Sequence, residues 1–488
     1  MIGGIIKKIY LNTKSVSFKQ GLFKNILISG GFNYLSQGIN FLSTIILSRL
    51  LSPESYGIIG LITVFTNFIL VFSDGGLSYA LIRSDYGRTY QRVLNNLSWL
   101  LGIILFLITI TLAYPIAVFY KNPNLFWPTI VLSFTFLFRS LSLVQGAILA
   151  KQLRFATIGK VTLLGMTVSV CITIILAFLG AGYWALVFPQ IINAIIMAIF
   201  YEREVKLGYK IYPLNYIKVG FKHTKKLVAS VIGFNAINYW ARNSDNMIVG
   251  RVYGASDLGL YSRAYSLLTL PLVLITGLFS NILFPSLKKL KQEGGDIEGE
   301  YYFVLKVITF LSFPLVFILI ALPNQLVMLL WGVKWIKVAQ FLPYFGLLIY
   351  TQTLLSTVGQ LLILQGKERE YMISGWVSAF FLVAGIVLGA TISLVAVAQY
   401  YALSFLLAVL TFNVLYIYIK TLAFKLNDVL WFWLPKILLS VLLWLTIFFN
   451  MMIMKFLILI ILFLCILLEN RKEVKKLTLT IKSKYNNA

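Results

Sequence analysis

The sequence predicts an all-α polytopic membrane protein with about 14 transmembrane helices. They would form two parallel six-helix bundles followed by two C-terminal helices. Three observations carry this expectation. The 488 residues are 59% hydrophobic and only 12% charged, with a mean hydropathy of +0.88, whereas soluble domains are nearer half apolar and about a quarter charged. Apolar stretches of about 20 residues recur from end to end, each long enough to cross a hydrocarbon core of roughly 30 Å. Those stretches are continuous rather than alternating with period two, which excludes a β-barrel as well as a water-soluble enzyme.

Residues 1–24 read as a basic cytoplasmic N-terminus, without the apolar core and small-residue cleavage site of a signal peptide. The first bundle, 25–201, holds spans at 25–48, 57–82, 96–119, 125–149, 156–180 and 182–201. A basic cytoplasmic linker follows at 202–226. The second bundle, 227–419, holds spans at 227–250, 258–285, 302–325, 338–365, 371–393 and 395–419. Two extra spans, 429–449 and 451–469, are divided at Phe449-Asn450-Met451, the weakest boundary signal in the chain. Residues 470–488 form a basic cytoplasmic tail. Prolines at 115, 189, 271, 285, 314, 343 and 435 mark bends, which suit a rocking transporter and many static bundles alike.

Charge sets the orientation. Lys plus Arg number 42 against 16 acidic residues, a net charge of +26. With the N-terminus inside, thirty of the 42 fall in cytoplasmic segments and five at outer loops or outer helix ends. This positive-inside bias puts both termini in the cytoplasm and accounts for the basic charge without a nucleic-acid partner. Cys171 and Cys465 are isolated in apolar stretches and His223 is the single histidine, so neither a disulfide framework nor a Cys/His metal site is expected. No Gly-rich phosphate loop ending in Gly-Lys-Ser/Thr occurs, which argues against an ATPase and against any bound cofactor beyond a coupling ion.

The bundles repeat one another. Displaced by 202 residues, Gly31-Phe32-Asn33 falls on Gly233-Phe234-Asn235, Arg49 on Arg251 and Gly57 on Gly259. In the first span Asn33, Ser36, Asn40, Ser43 and Thr44 occupy one helical face, an arc of roughly 100°. The seventh span repeats those offsets with Asn235, Asn238, Arg242, Asp245 and Asn246. Because each half has six spans, the halves are parallel. That is a transporter architecture, with its site near the midplane between them.

Intramembrane charge narrows the chemistry. A basic side chain at the centre of a span costs about 2.5–3.5 kcal/mol on insertion scales, so Arg242 should face protein or a water-filled cavity. The bland alternative is mutual neutralisation with Asp245 three residues on. Arg139, followed by Ser142 and Gln145, has no acidic residue within a turn, and neither has Arg263. Unpaired arginines suit an anionic ligand, because the guanidinium fork matches phosphate oxygens and stays protonated. Snorkelling to the outer interface is the alternative for Arg263, and snorkelling is the favoured reading of Lys160. Lys436 and Lys455, in the extra spans, are compatible with a lipid-facing place and are assigned no role. Asp74 and Asp245 are candidate carriers of a coupling H+ or Na+; a cap in a broken helix is the alternative for Asp74, which precedes Gly75-Gly76. Tyr239 and Trp240 beside the polar face are weak candidates for stacking on sugar rings.

Three segments carry a resemblance. They are Ile45-Ile46-Leu47-Ser48-Arg49-Leu50-Leu51-Ser52-Pro53-Glu54-Ser55-Tyr56-Gly57, Ser73-Asp74-Gly75-Gly76-Leu77-Ser78-Tyr79-Ala80-Leu81-Ile82 and Gly146-Ala147-Ile148-Leu149-Ala150-Lys151-Gln152-Leu153-Arg154-Phe155. Asp245-Asn246-Met247-Ile248-Val249-Gly250 and Leu258-Gly259-Leu260-Tyr261-Ser262-Arg263-Ala264-Tyr265 add to it in the second half. The chain resembles the polysaccharide or O-antigen flippases of the superfamily that also holds MATE multidrug exporters and lipid II flippases. The resemblance implies translocation of an undecaprenyl-diphosphate-linked oligosaccharide across the bacterial inner membrane, by alternating access about a cationic cavity. The bilayer and that lipid-linked glycan would be its partners, together with glycan polymerase machinery.

On this expectation Arg139, Arg242 and Arg263 hold the diphosphate. Asn33, Gln37, Asn40, Asn235 and Asn238 hydrogen-bond sugars, and Asp245 is the coupling or pairing acid. The last two spans shelter the polyprenyl tail. A MATE-type small-molecule or drug exporter is the alternative and would favour an acidic cavity. A membrane glycan polymerase or ligase is disfavoured, because the longest outer loop is expected to be only around a dozen residues.

Overall fold

The computed structural model describes residues 30–74, 77–83, 87–208 and 210–471, and they are helical apart from short connections. The N-terminal segment 1–24 and all but the first two residues of the tail 470–488 lie outside this range. The chain divides into two compact units, residues 1–243 and 244–488.

In the first unit, α1 covers 30–50 and α2 Pro53–Asp74. They are followed by α3 (Leu77–Arg83), α4 (Arg88–Phe119), α5 (Phe126–Lys151), α6 (Phe155–Phe178) and α7 (Trp184–Val205). Small residues let these helices approach closely, as packing in lipid requires. A Cβ on Gly159 of α6 would overlap the ring of Phe32 in α1, and one on Gly102 of α4 would overlap Ser140 of α5. Beside the latter contact Ser98 Oγ donates to the Ser140 carbonyl at 2.8 Å. The other end of α1 is held by Leu47 and Leu51 against Ala177 and Ala185.

The sequence expects one span at 57–82; the described residues give two helices there, α2 ending at Asp74 and α3 beginning at Leu77, with Gly75 and Gly76 outside the described residues. The start of the linker 202–226 is held by hydrogen bonds, and α7 extends into it as far as Val205. Glu202 accepts from Gln145 Nε2 (3.0 Å) and from the Gly208 N–H (2.8 Å), and Arg92 Nε donates to the Leu207 carbonyl (2.9 Å). These bonds pin the start of the linker to α4 and α5. From Leu214 onward the chain is helix again, because α8 runs from Leu214 to Gln292.

Helix α8 enters the second unit and breaks at Gly254, where φ is +83° and ψ −171°, a conformation that suits glycine. The break between α1 and α2 falls at Leu51 and Ser52, and Ser52 lies 202 residues before Gly254. The register of the sequence repeat therefore reappears as the register of the helix break in both units.

Beyond α8 lie α9 (Ile297–Ala321) and the short α10 (Pro323–Leu330), then α11 (Leu342–Leu355) and α12 (Val358–Leu364). They are followed by α13 (Glu368–Ala390), α14 (Leu394–Thr421), α15 (Leu426–Phe448) and α16 (Met452–Glu469). The connection 322–341 exceeds the dozen residues expected for an outer loop. Pro323 restarts the chain as α10, and a 3₁₀ helix, Val333–Gln340, completes it. Helix α14 widens into π-helical turns at Phe405–Leu410 and Val414–Thr421. There Thr411 and Thr421 hydroxyls bond carbonyls five residues back, at 3.2 and 2.7 Å, which keeps the loosened backbone satisfied in an apolar medium.

Among the described residues, eleven helices are long and apolar enough to cross a bilayer, against the fourteen expected. The expected spans at 25–48, 227–250 and 258–285 are not among the eleven. The first begins outside the described residues, and the other two run together in α8. The boundary at Phe449-Asn450-Met451 is real: Asn450 takes φ +53°, which asparagine tolerates better than most residues.

Candidate functional site

Arg139 lies at the middle of α5, roughly 18–20 Å from either end at 1.5 Å per residue. Phe136, Ser140 and Ser142 around it are buried, whereas Arg139 itself is exposed, and no carboxylate pairs with it among the described residues. A guanidinium at that depth costs about 2.5–3.5 kcal/mol in hydrocarbon on insertion scales, which favours polar surroundings, whether water or a ligand. Gln145, which follows it on α5, does not join that open face. It is fully buried and donates to Glu202.

Asn33 and Asn40 are exposed on α1 and Gln37 is half-buried beside them. Further along that stripe Ser43 donates to the Asn40 carbonyl (2.8 Å) and Thr44 to the Phe41 carbonyl (2.7 Å). The first unit thus presents three amides on one helix and a lone guanidinium on another. Asp74 Oδ1 accepts from the Ser78 N–H at 3.0 Å, the capping arrangement that its place before a helix break suggests. Tyr239 donates to the Val64 carbonyl (2.5 Å), and Trp240 packs against Phe65 and Phe68 with centroids 6.2 and 5.0 Å away. Both aromatics are engaged in helix packing.

Asn235, Asn238 and Arg242 lie on α8, but their side chains are outside the described residues. In the second unit Asp245 is buried, with Oδ1 accepting from the Asn246 N–H (2.8 Å) and Oδ2 from the Tyr261 hydroxyl (3.2 Å). Phe341 and Phe345 pack edge-on against the Tyr261 ring. Arg263 is buried as well. Its guanidinium carbon stands 5.5 Å from the Trp331 ring centroid and 5.4 Å from that of Trp335. Arg263 reaches towards the connection 322–341, as snorkelling would require, but ends buried against two adjacent indoles, whose centroids are 6.2 Å apart. A cation–π contact of this kind is stabilising for a desolvated arginine.

The sequence assigns Lys436 no role. It is 3% exposed rather than lipid-facing. Its Nζ donates to Glu469 Oε1 at 2.5 Å and to the Phe432 carbonyl at 3.0 Å, and lies 3.7 Å from the Phe432 ring centroid. The pair joins α15 to α16, whose antiparallel run brings the middle of α15 beside the end of α16. That juxtaposition is the signal that could have found it. A cavity of about 550 Å³ opens next to the pair, lined by Tyr302, Lys306, Trp431, Phe432 and Glu469 among others.

Residues 46–340 match the sequence profile of a family described as "Polysaccharide biosynthesis protein". The chain belongs to that family. Among relatives of this polysaccharide biosynthesis protein, the teichuronic acid biosynthesis protein TuaB of Bacillus subtilis (strain 168) is 27% identical over 350 residues, 70% of each chain. The lipopolysaccharide biosynthesis protein WzxC of Escherichia coli (strain K12) is 24% identical over 368 residues, 72% of each. Among solved structures, the lipid II flippase MurJ in an inward closed conformation superposes with a TM-score of 0.66 at 15% identity, covering 92% of this chain and all of that one. This family member therefore has the polytopic helical fold of a lipid flippase.

Proposed function

We propose that this protein is a flippase that moves an undecaprenyl-diphosphate-linked oligosaccharide, a repeat unit of O-antigen, capsule or exopolysaccharide, from the cytoplasmic to the outer leaflet of the bacterial inner membrane. The observation that carries this reading is Arg139, an exposed cation at mid-membrane depth in a family devoted to polysaccharide biosynthesis. Such a group is costly unless it meets an anion, and a diphosphate offers the oxygens a guanidinium fork matches. The exposed amides Asn33 and Asn40, with Gln37, suit hydroxyl-rich sugars. The buried Asp245 suits a coupling role or a structural one, the tyrosine bond favouring the latter. Work would be done by alternating access, without covalent chemistry, and with both termini in the cytoplasm. A drug exporter that handles cations is disfavoured by the same arginine.

Depletion of the protein in cells making the glycan should cause accumulation of the polyprenyl-diphosphate oligosaccharide, read by mass spectrometry of lipid extracts. That spectrum would also identify the glycan. No accumulation while the pathway is running would reject the proposal.

A further inference from the structure

A second cavity, of about 430 Å³, lies in the second unit among the start of α10, the start of α11, the end of α15 and the start of α16. Its lining is rich in amides: Asn324, Gln325, Gln340 and Asn450, all exposed. Tyr344 forms part of the wall, with its hydroxyl already accepting from Gln399 Nε2 at 2.9 Å. No Asp or Glu stands among the described residues lining it, and the one charge is Lys455.

Lys455 is misplaced by the ordinary rules of helix electrostatics. It occupies the first turn of α16, where the backbone already presents partial positive charge and where an acidic residue is favoured. It is half-buried and has no acidic partner among the described residues. The helix has no side-chain cap, and neither α10 nor α11 has one at its start. Cation, uncapped N–H groups and four amides around one cavity are complementary to an anion attached to a hydroxyl-bearing group. The surface around Lys455 is strongly apolar: Met451, Met452 and Ile453 are exposed to 49%, 66% and 78%. An anion arriving there would be carried by a lipid rather than dissolved in water.

We propose that this cavity binds the head of an anionic lipid, a phosphate ester whose alcohol carries further hydroxyls. The phosphate lies on Lys455 and the hydroxyls on Asn324, Gln325, Gln340 and Asn450. Two lipids share that chemistry, a phospholipid with a glycerol head and the diphosphate-linked glycolipid itself. The site lies at the end of the unit that the charge bias places outside the cell, a placement that rests on the orientation given under the proposed function.

The test is native mass spectrometry of the full-length protein in detergent. Its probes are phosphatidylglycerol, phosphatidylcholine and a short-chain prenyl-diphospho-hexose. Phosphatidylcholine should bind about tenfold more weakly than the better of the two anionic probes, and Lys455→Gln should weaken that probe about tenfold, the scale of one charge-assisted contact. Lys455→Arg should retain binding, and so should Lys306→Gln, which alters the other cavity. Displacement of phosphatidylglycerol by the prenyl compound assigns the site to the glycolipid; retention of phosphatidylglycerol assigns it to the phospholipid. Equal binding of phosphatidylcholine, or unchanged binding by Lys455→Gln, overturns the proposal. The readout needs no transport, so binding through Lys455 without glycolipid accumulation on depletion would leave this site standing and reject the flippase.

Discussion

Replacing Arg139 with alanine should abolish transport at normal expression while the protein stays in the membrane at its usual level. The side chain is exposed at the middle of α5 and pairs with no described carboxylate, so its removal leaves no buried charge stranded and costs little stability. Losing one guanidinium from a desolvated anion costs about 2–5 kcal/mol, which corresponds to a fall in rate of about thirtyfold or more. Arg139→Lys should recover part of the loss, since a point charge remains but the two-pronged fork does not. Glycan display at the cell surface, corrected for protein level, reads both. Arg242→Ala should likewise abolish transport, on the reading that places it with Arg139 on the diphosphate. Full transport in either alanine variant would remove that arginine from the ligand set.

Lys436→Met should have the largest effect on stability. The substitution leaves the Glu469 carboxylate without its 2.5 Å partner, and Glu469 Oε2 is already buried with no hydrogen bond. Removing one member of a buried pair costs about 3–5 kcal/mol, and the one-quarter exposure of the Glu469 side chain lowers this to about 2–4 kcal/mol. The double variant Lys436→Met with Glu469→Leu should regain most of the loss, because an apolar pair of similar volume needs no compensation. Thermal unfolding of the four proteins in detergent forms the cycle. A double variant no more stable than Lys436→Met would show that the pair is not the source of the effect.

The contrast between Arg139 and Lys436 shows what the sequence could and could not disclose. Helices were legible because a bilayer imposes long apolar stretches, and the repeat was legible because Gly31-Phe32-Asn33 and the polar face that follows recur 202 residues on, from Gly233-Phe234-Asn235. The bond from the Ser78 N–H to Asp74 fits the cap, one of the two readings that the sequence left open for Asp74. The fate of a charged side chain was not legible, because it depends on partners distant in sequence. Glu469 lies 33 residues after Lys436, and Trp331 lies 68 after Arg263. In the same way Gln145, six residues after Arg139 on α5, is bound by Glu202 from another helix. Pattern within one helix gives a polar face, and only the packing of neighbouring helices decides whether that face is open.

The most direct measurement is lipid translocation by purified protein in proteoliposomes. The substrate would be the polyprenyl-diphosphate oligosaccharide recovered from depleted cells, its outer-leaflet exposure read with an impermeant sugar-oxidising reagent. The account predicts transfer between leaflets that depends on the protein and is lost in Arg139→Ala. Transfer at the rate of protein-free liposomes, with the protein folded and correctly inserted, would contradict it.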